Sequence, residues 1–170
     1  MRDRRAPRRL IRIEPVDGMI SRADSQSLIE RVVKMSSAEA IAVAVGSNET
    51  NNLRFAANQV STAGSVSDAN VQVTSSFGPK RATVVTNDLS DEALRATVKQ
   101  SEALAKLSPD DPEAMPNLGP QNIKTVNAEF ASTTGLTAEA LVRAGLTALE
   151  PARKAGDLIA AGYLVANRAS

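Results

Sequence analysis

Residues 39–60 read EAIAVAVGSNETNNLRFAANQV, and this stretch decides the fold. Its first part alternates valine or isoleucine with alanine, so both faces of the predicted strand are apolar, as in an interior strand. Its second part places Leu53 and Phe55 on one face and Arg54 on the other, which is the alternation of a half-buried strand. A turn is predicted at residues 51–52. The stretch therefore predicts two neighbouring strands.

Two more strands are predicted to follow at once. A turn is expected at residues 62–65, and Ala69, Val71 and Val73 then alternate with polar residues. After a further turn, residues 81–87, RATVVTN, form the fourth strand. Because the links are short, we expect an antiparallel meander, since parallel neighbours need crossovers of a dozen residues or more.

Helical periodicity lies on both sides of these strands. The first helix is predicted over residues 25–36, with Ser27 and Glu30 at capping-box spacing. The second begins near Asp88 or Ser90, either of which can cap it, and Pro109 ends it.

The rest of the chain is predicted to contain a linker, a helix and a last strand. Residues 108–135 form a long extended linker, and a helix beginning at Thr137, with Pro151 inside it, ends at Gly156. Residues 158–167 form a fifth strand. The predicted fold is α+β: a two-layer domain with a mostly antiparallel sheet of about five strands and three helices on one face.

The composition excludes most catalytic chemistries. The 170 residues are 42% hydrophobic and 23% charged, which fits one domain. The absence of histidine and cysteine excludes disulfides, thiolate metal sites, a cysteine nucleophile and an imidazole base. Asp110 and Asp111 are too few for a calcium site, and Lys99 and Ser101 stand two apart on a helix and face away from each other. We therefore predict no catalytic residue and no metal ligand.

The N-terminal end is basic. Residues 1–18 hold six arginines against three acids. Residues 1–20 are predicted to form a basic, disordered arm before a domain at residues 21–170, and Met19 is an alternative start. Four arginines are candidates for phosphate contacts: Arg4, Arg5, Arg8 and Arg9. The simpler interpretation is an unstructured tail.

Several motifs, in one order, resemble the N-terminal domain of the TldD/PmbA family of zinc-dependent proteases, also known as the "modulator of DNA gyrase" family. The resemblance covers residues 21–170. The sequence departs from the family at the turn of residues 78–82 and at its arginine-rich start. The motifs are RFAANQV, VVTNDLSDEAL, ALAKLSPDDP, TAEALVRAGLTALEPARKAG and AAGYLVAN.

The resemblance implies an amino-terminal half without the catalytic site. In the family, zinc is bound by a His-Glu-x-x-x-His helix of a C-terminal domain, so we expect no cofactor on this chain and carry over no catalytic or metal-binding residue. The implied partners are a TldD/PmbA-type subunit, in a homo- or hetero-oligomer, and an extended peptide substrate. Arg54 and Asn58 are the candidates to face substrate or partner, although they could simply solvate the open face of the sheet.

Two functions follow as hypotheses. The first is a non-catalytic domain of a TldD/PmbA-type metallopeptidase, which contributes to subunit assembly and guides an extended peptide in proteolysis. The alternative is a stand-alone binding module whose arginine-rich arm contacts nucleic acid, which the scarcity of aromatic residues disfavours. With no signal peptide and no apolar run of about 20 residues, we expect a cytoplasmic protein that does not enter a membrane.

Overall fold

The computed structural model of the chain describes residues 19–124, 126, 128 and 130–170. Within these residues the chain forms four helices and four strands. In chain order they are α1 (Arg22–Val33), β1 (Ala40–Ala56), β2 (Gln59–Phe77), β3 (Lys80–Thr86), α2 (Asp91–Leu107), α3 (Ala131–Thr134), α4 (Ala138–Ala155) and β4 (Gly162–Ala169).

The four strands form one antiparallel sheet in the order β3-β2-β1-β4. The long β1–β2 hairpin is its centre, and the other two strands flank opposite ends of that hairpin. β3 pairs with residues 71–77 of β2, whereas β4 pairs with residues 48–55 of β1. The predicted α+β fold is confirmed, with four strands where about five were expected.

The difference in strand number comes from the turns. The turns predicted at residues 51–52 and 62–65 are wrong, because these residues pair with each other inside the hairpin. The chain instead reverses at Ala57 and Asn58, whose φ angles of 48° and 59° are left-handed. Two successive left-handed residues form the tight turn that matches the twist of paired strands, and asparagine tolerates this conformation. No glycine marks the turn in the sequence.

Side-chain caps set the helix starts. Ser21 caps α1 by accepting a hydrogen bond from the Asp24 N–H, so this helix begins three residues before its predicted start. Ser90 caps α2 by accepting from the Ala93 N–H, as one of the two predicted alternatives. Thr137 caps α4, which continues through Pro151 to Ala155. A serine or threonine oxygen in each case satisfies a backbone donor that the first turn leaves free.

α1, α2 and α4 cover one face of the sheet and build two apolar clusters there. The larger lies between α1, α2 and the β3 end of the sheet, and its buried members are Leu28, Val32, Val71, Val73, Leu94 and Val98. The smaller lies under α4, where Leu53, Leu149 and Ala152 are buried. A side chain at Gly145 would overlap with Leu53, so glycine here lets α4 lie close to β1.

A buried hydroxyl pair joins the sheet to α2. Ser75 Oγ lies 2.7 Å from Ser101 Oγ, which in turn donates to the Val98 carbonyl at 2.9 Å. Both serines are fully buried. Because Ser101 uses its proton on Val98, Ser75 must donate to Ser101. Ser101 is therefore the acceptor on which the Ser75 hydroxyl depends.

We expect Ser101→Ala to destabilise the protein by about 1–3 kcal/mol, because it leaves the buried Ser75 donor without its acceptor. Ser75→Ala should cost less, since Ser101 keeps its bond to Val98. Urea unfolding of both single variants and the double variant measures this. The double variant should cost less than the sum of the two. Equal single costs that add would contradict the assignment.

Glu102 of α2 holds the loop that leads into β1. Its carboxylate accepts hydrogen bonds from the Ser37 N–H at 2.6 Å, the Ser37 hydroxyl at 2.8 Å and the Ser36 hydroxyl at 2.8 Å. Partial burial raises the pKa of Glu102, but these bonds outweigh it and hold the pKa below its ordinary value. The charged carboxylate is thus an anchor for this loop.

The pKa of Glu102 is lower in the folded protein than in the unfolded chain, where a glutamate has a pKa of about 4.3. Its charge therefore stabilises the fold fully above the unfolded-state pKa, and this stabilisation is lost as the pH falls through the folded-state pKa. Glu102→Gln should therefore lower the free energy of unfolding more at pH 7 than at pH 3. Urea titrations at several pH values measure the difference. A difference that is constant over this range would contradict the role of the charge.

Candidate functional site

The face of the sheet opposite the helices is not covered by any described element. On β1 it presents Ala42 and Ala44 at one end and Asn52 and Arg54 at the other, because these positions alternate with the helix-facing ones. Thr74 and Thr83 join β2 and β3 on this face through their hydroxyls, 2.8 Å apart. This open face is therefore polar around Asn52 and Arg54, and it carries small side chains and threonine hydroxyls at its other end.

A shallow depression of about 650 Å³ lies at the hairpin end of the open face. We call it the Arg54 depression. Its lining comes from three strands and from the segment before β4, and includes Asn52, Arg54, Thr62, Ala161 and Tyr163. The depression is concave because the small residues Ala161 and Gly162 lie beside the large side chains of Arg54 and Tyr163. A guanidinium and a phenol, those of Arg54 and Tyr163, border this depression.

Arg54 and Tyr163 are directly opposite each other in the β1–β4 pairing. Arg54 is exposed, and Tyr163 is 76% exposed. Among the residues that the structure describes, no carboxylate pairs with the Arg54 side chain, and none of the residues lining the depression is acidic. A free guanidinium beside hydroxyl and amide groups is suited to a carboxylate, with which arginine forms paired hydrogen bonds.

Asn58, the second sequence candidate, lies in the β1–β2 turn. Its side-chain amide donates to the Leu158 carbonyl at 2.7 Å and accepts from the Ala160 N–H at 2.7 Å. Its own carbonyl accepts from two nitrogens of Arg153, at 2.8 and 3.0 Å. The structure thus places Asn58 as a tether between the hairpin and the segment before β4. Whether Arg54 or Asn58 meets a partner stays a prediction.

The structure places the short helix α3 inside the linker predicted over residues 108–135. The part before that helix, residues 108–130, is called the linker below and carries apolar side chains that sequence reasoning did not single out. Five are more than 60% exposed: Met115, Leu118, Ile123, Val126 and Phe130. The start of the linker is fixed to the β2–β3 turn by the Arg81–Asp111 ion pair and by the Asp111 N–H, which donates to the Pro79 carbonyl at 3.2 Å. Exposed apolar residues on a long loop are typical of a surface that another protein covers.

The residues of this chain do not fit a zinc ion. The sequence has neither histidine nor cysteine, and the described residues contain no group of three acids that could hold a metal. Asp111 is paired with Arg81, and Asp110 lies 4.0 Å from the Lys80 amine. Zinc sites are built from imidazole and thiolate with few carboxylates, so no step of the chemistry is assigned to a metal here.

The sequence of the central sheet and α2 carries the family signature. Residues 42–105, from β1 to near the end of α2, match the model of "PmbA/TldA metallopeptidase domain 1". Over these residues the chain matches the first domain of the TldD/PmbA family. The matched region includes Arg54, Asn58 and four of the six buried members of the larger core cluster: Val71, Val73, Leu94 and Val98. A search among curated proteins found no match.

Solved structures show the same fold in TldD/PmbA proteins. TldE from Thermococcus kodakarensis superimposes with a TM-score of 0.64 over 85% of this chain, at 15% identity. Two proteins assigned as candidate modulators of DNA gyrase are also similar. The one from Thermotoga maritima gives 0.59 over 84% at 13% identity, and the one from Bacteroides thetaiotaomicron gives 0.60 over 88% at 14% identity.

These structures are much longer than this chain, which spans 37%, 35% and 40% of their respective lengths. At such low identity the likeness shows the shared fold alone. The activity of a whole TldD/PmbA protein is therefore not a property shown for these 170 residues.

Two predictions concern other parts of the chain. The arm arginines Arg4, Arg5, Arg8 and Arg9 lie outside the described residues, and the boundary between arm and domain stays a prediction. Among the described helices, none is both long and apolar enough to cross a bilayer.

Proposed function

We propose that this TldD/PmbA first domain is a non-catalytic part of a metallopeptidase. In this role it assembles with a zinc-bearing TldD/PmbA-type subunit or domain and guides an extended peptide towards the metal. The zinc and the residues that hydrolyse the peptide are supplied by that partner. The proposal includes the cytoplasmic location expected from the sequence.

The single observation that carries the assembly role is the exposed apolar linker. Ile123 and Leu118 are 84% and 85% exposed, which costs free energy in water because each large apolar side chain left exposed forgoes about 1.5–3 kcal/mol of burial. Covering several such side chains in one interface recovers part of that free energy. The Arg81–Asp111 ion pair anchors the start of this linker beside the β2–β3 turn.

Arg54 gives the guidance role its chemistry. A peptide that crosses the open face meets a mostly uncharged surface until it reaches the Arg54 depression. There the guanidinium can bind the carboxylate of an acidic residue or of a peptide C-terminus. Such a contact would orient the peptide without reacting with it.

We expect this chain to form a stoichiometric complex with a purified zinc-containing TldD/PmbA-type subunit, measured by light scattering after size-exclusion chromatography. Ile123→Ser should weaken the complex about tenfold or more, because the interface loses a buried side chain and gains a hydroxyl. The matched control is Ile159→Ser, since Ile159 is 82% exposed but lies outside the linker.

No complex at micromolar concentrations, or equal weakening by the two substitutions, would contradict the assembly role.

Arg54→Gln tests guidance separately. It should leave assembly intact and raise the KM for peptides that end in or contain a carboxylate. Arg95→Gln on α2, also exposed, serves as its control on the helix layer.

A further inference from the structure

Two apolar side chains of β4 lie on the open face next to Arg54. Tyr163 is directly opposite Arg54 in the β1–β4 pairing, and Val165 is directly opposite Asn52. Both are more than half exposed, at 76% and 52%. Residues opposite each other in an antiparallel pair have Cβ atoms about 4.5–5.5 Å apart, and residues two apart on one strand are about 7 Å apart. An apolar surface therefore adjoins the guanidinium.

On the β2 side of Arg54 the open face carries hydrogen-bonding groups. Thr62 is directly opposite Arg54, and Gly64 is directly opposite Asn52. A Cβ at Gly64 would lie 3.5 Å from both the oxygen and the nitrogen of the Asn52 amide, so glycine leaves this amide open from the β2 side. The guanidinium thus has a hydroxyl and an amide on one side and apolar groups on the other.

The charge of Arg54 is uncompensated on this face. The described strands place three charged side chains there: Arg54, Asp68 and Arg81. Arg81 is paired with Asp111. Asp68 is opposite Asn48, six residues from Arg54 along β1, which puts it about 20 Å away at about 3.3 Å per residue. Physiological salt screens exposed charges beyond about 8 Å, so Asp68 does not offset the guanidinium.

These groups fit the last residue of a peptide better than an internal acidic residue. A C-terminal residue carries its carboxylate and its side chain on the same Cα. The carboxylate can form paired hydrogen bonds with Arg54 while an apolar side chain covers Tyr163 and Val165. An internal aspartate or glutamate uses its side chain on Arg54, and the next side chains of an extended peptide point to the opposite side. It therefore leaves the apolar surface uncovered.

We infer that the Arg54 depression binds the C-terminal residue of an extended peptide and selects a free α-carboxylate together with an apolar side chain. Arg54 holds the carboxylate, with the Thr62 hydroxyl and the Asn52 amide as further donors beside it. Tyr163 and Val165 receive the side chain. This inference rests on the proposed function and names the class of peptide that the domain guides.

The test uses the full chain and fluorescein-labelled hexapeptides of alternating glycine and serine that differ at the C-terminal end. One ends in leucine with a free carboxylate, one in leucine amide and one in glycine with a free carboxylate. A fourth ends in leucine amide and has an internal glutamate. Fluorescence anisotropy measures their dissociation constants.

The leucine acid should bind at least tenfold more tightly than leucine amide, because the amide loses the charge-assisted hydrogen bonds to Arg54. It should bind at least threefold more tightly than the glycine acid, which buries no side chain. The internal glutamate peptide should also bind at least threefold more weakly than the leucine acid.

Two variants assign the two parts of the ligand to the two parts of the depression. Arg54→Gln should remove the difference between leucine acid and leucine amide, whereas Arg95→Gln on α2 should keep it. Tyr163→Ser should reduce the preference for leucine over glycine at least twofold and keep the preference for acid over amide. In the unaltered protein, the leucine acid should shift the NMR signals of the Arg54 side-chain N–H groups and of the Tyr163 ring.

Four results would overturn the inference. They are the absence of saturable binding, equal binding of leucine acid and leucine amide, an acid preference that survives Arg54→Gln, and tighter binding of the internal glutamate peptide than of the leucine acid. Unshifted Arg54 and Tyr163 signals at saturation would overturn it as well, because the peptide would then be bound elsewhere.

The inference and the proposed function fail in different ways. If the leucine acid binds at Arg54 but no complex forms with a zinc-containing subunit, the C-terminal site stands and the proposed assembly is wrong. If the complex forms and peptides show no preference for a free C-terminal carboxylate, the assembly stands and the inference is wrong.

Discussion

Leu53→Ala is expected to lower the free energy of unfolding by about 2–5 kcal/mol, the range for removing a buried leucine side chain. Leu53 is 1% exposed and lies in the smaller cluster, beside Gly145 of α4 and opposite Leu164 of β4. Because α4 lies close to β1, the space between them is shaped around the Leu53 side chain. A smaller residue would create a cavity that the rigid strand pair cannot fill.

The same change at Leu107, which is 82% exposed at the end of α2, is the matched control and should cost less than about 0.5 kcal/mol. Urea unfolding gives both values. Hydrogen exchange should also show faster opening of α4 and β4 than of α2 in the Leu53 variant, because only the smaller cluster is damaged. A cost below 1 kcal/mol, or uniform opening, would contradict the packing described here.

Asn58→Ala is expected to cost about 2–5 kcal/mol. The substitution removes two side-chain hydrogen bonds to residues 158–160, each worth about 0.5–1.5 kcal/mol. It also places alanine at a φ of 59°, a left-handed conformation that costs about 1–2 kcal/mol. The two effects add because one concerns the side-chain amide and the other the backbone.

Asn58→Gly separates these two effects, since glycine adopts the left-handed conformation freely but makes no side-chain hydrogen bonds. The glycine variant should be more stable than the alanine variant by about 1 kcal/mol and less stable than the parent. Thermal unfolding at one pH measures all three proteins. If Asn58→Ala is as stable as the parent, the tether to the segment before β4 contributes nothing.

The alternation of apolar and polar residues predicted the buried and exposed sides of a strand correctly where the two faces of the sheet differ in burial. Leu53 is buried and Arg54 exposed, as period-two alternation requires. The turns were predicted wrongly because asparagine, threonine and glycine are common in turns, yet here Asn51, Asn52 and Gly64 lie inside a long hairpin. In such a hairpin, backbone pairing over many residues outweighs weak local preferences.

The candidate site was predictable only in part. Arg54 could be placed on the open face from its position in the strand. The tether of Asn58 to residues 158–160 spans 100 residues of sequence and leaves no local pattern.

The most direct test of the central claim is peptide hydrolysis by a zinc-containing TldD/PmbA-type subunit titrated with this chain. The chain alone, with one equivalent of zinc, should hydrolyse nothing. Added to the subunit, it should change the rate until a fixed stoichiometry is reached, and Ile123→Ser should abolish this effect where Ile159→Ser does not. Hydrolysis by the chain alone, or a rate that stays constant at every ratio, would contradict the account.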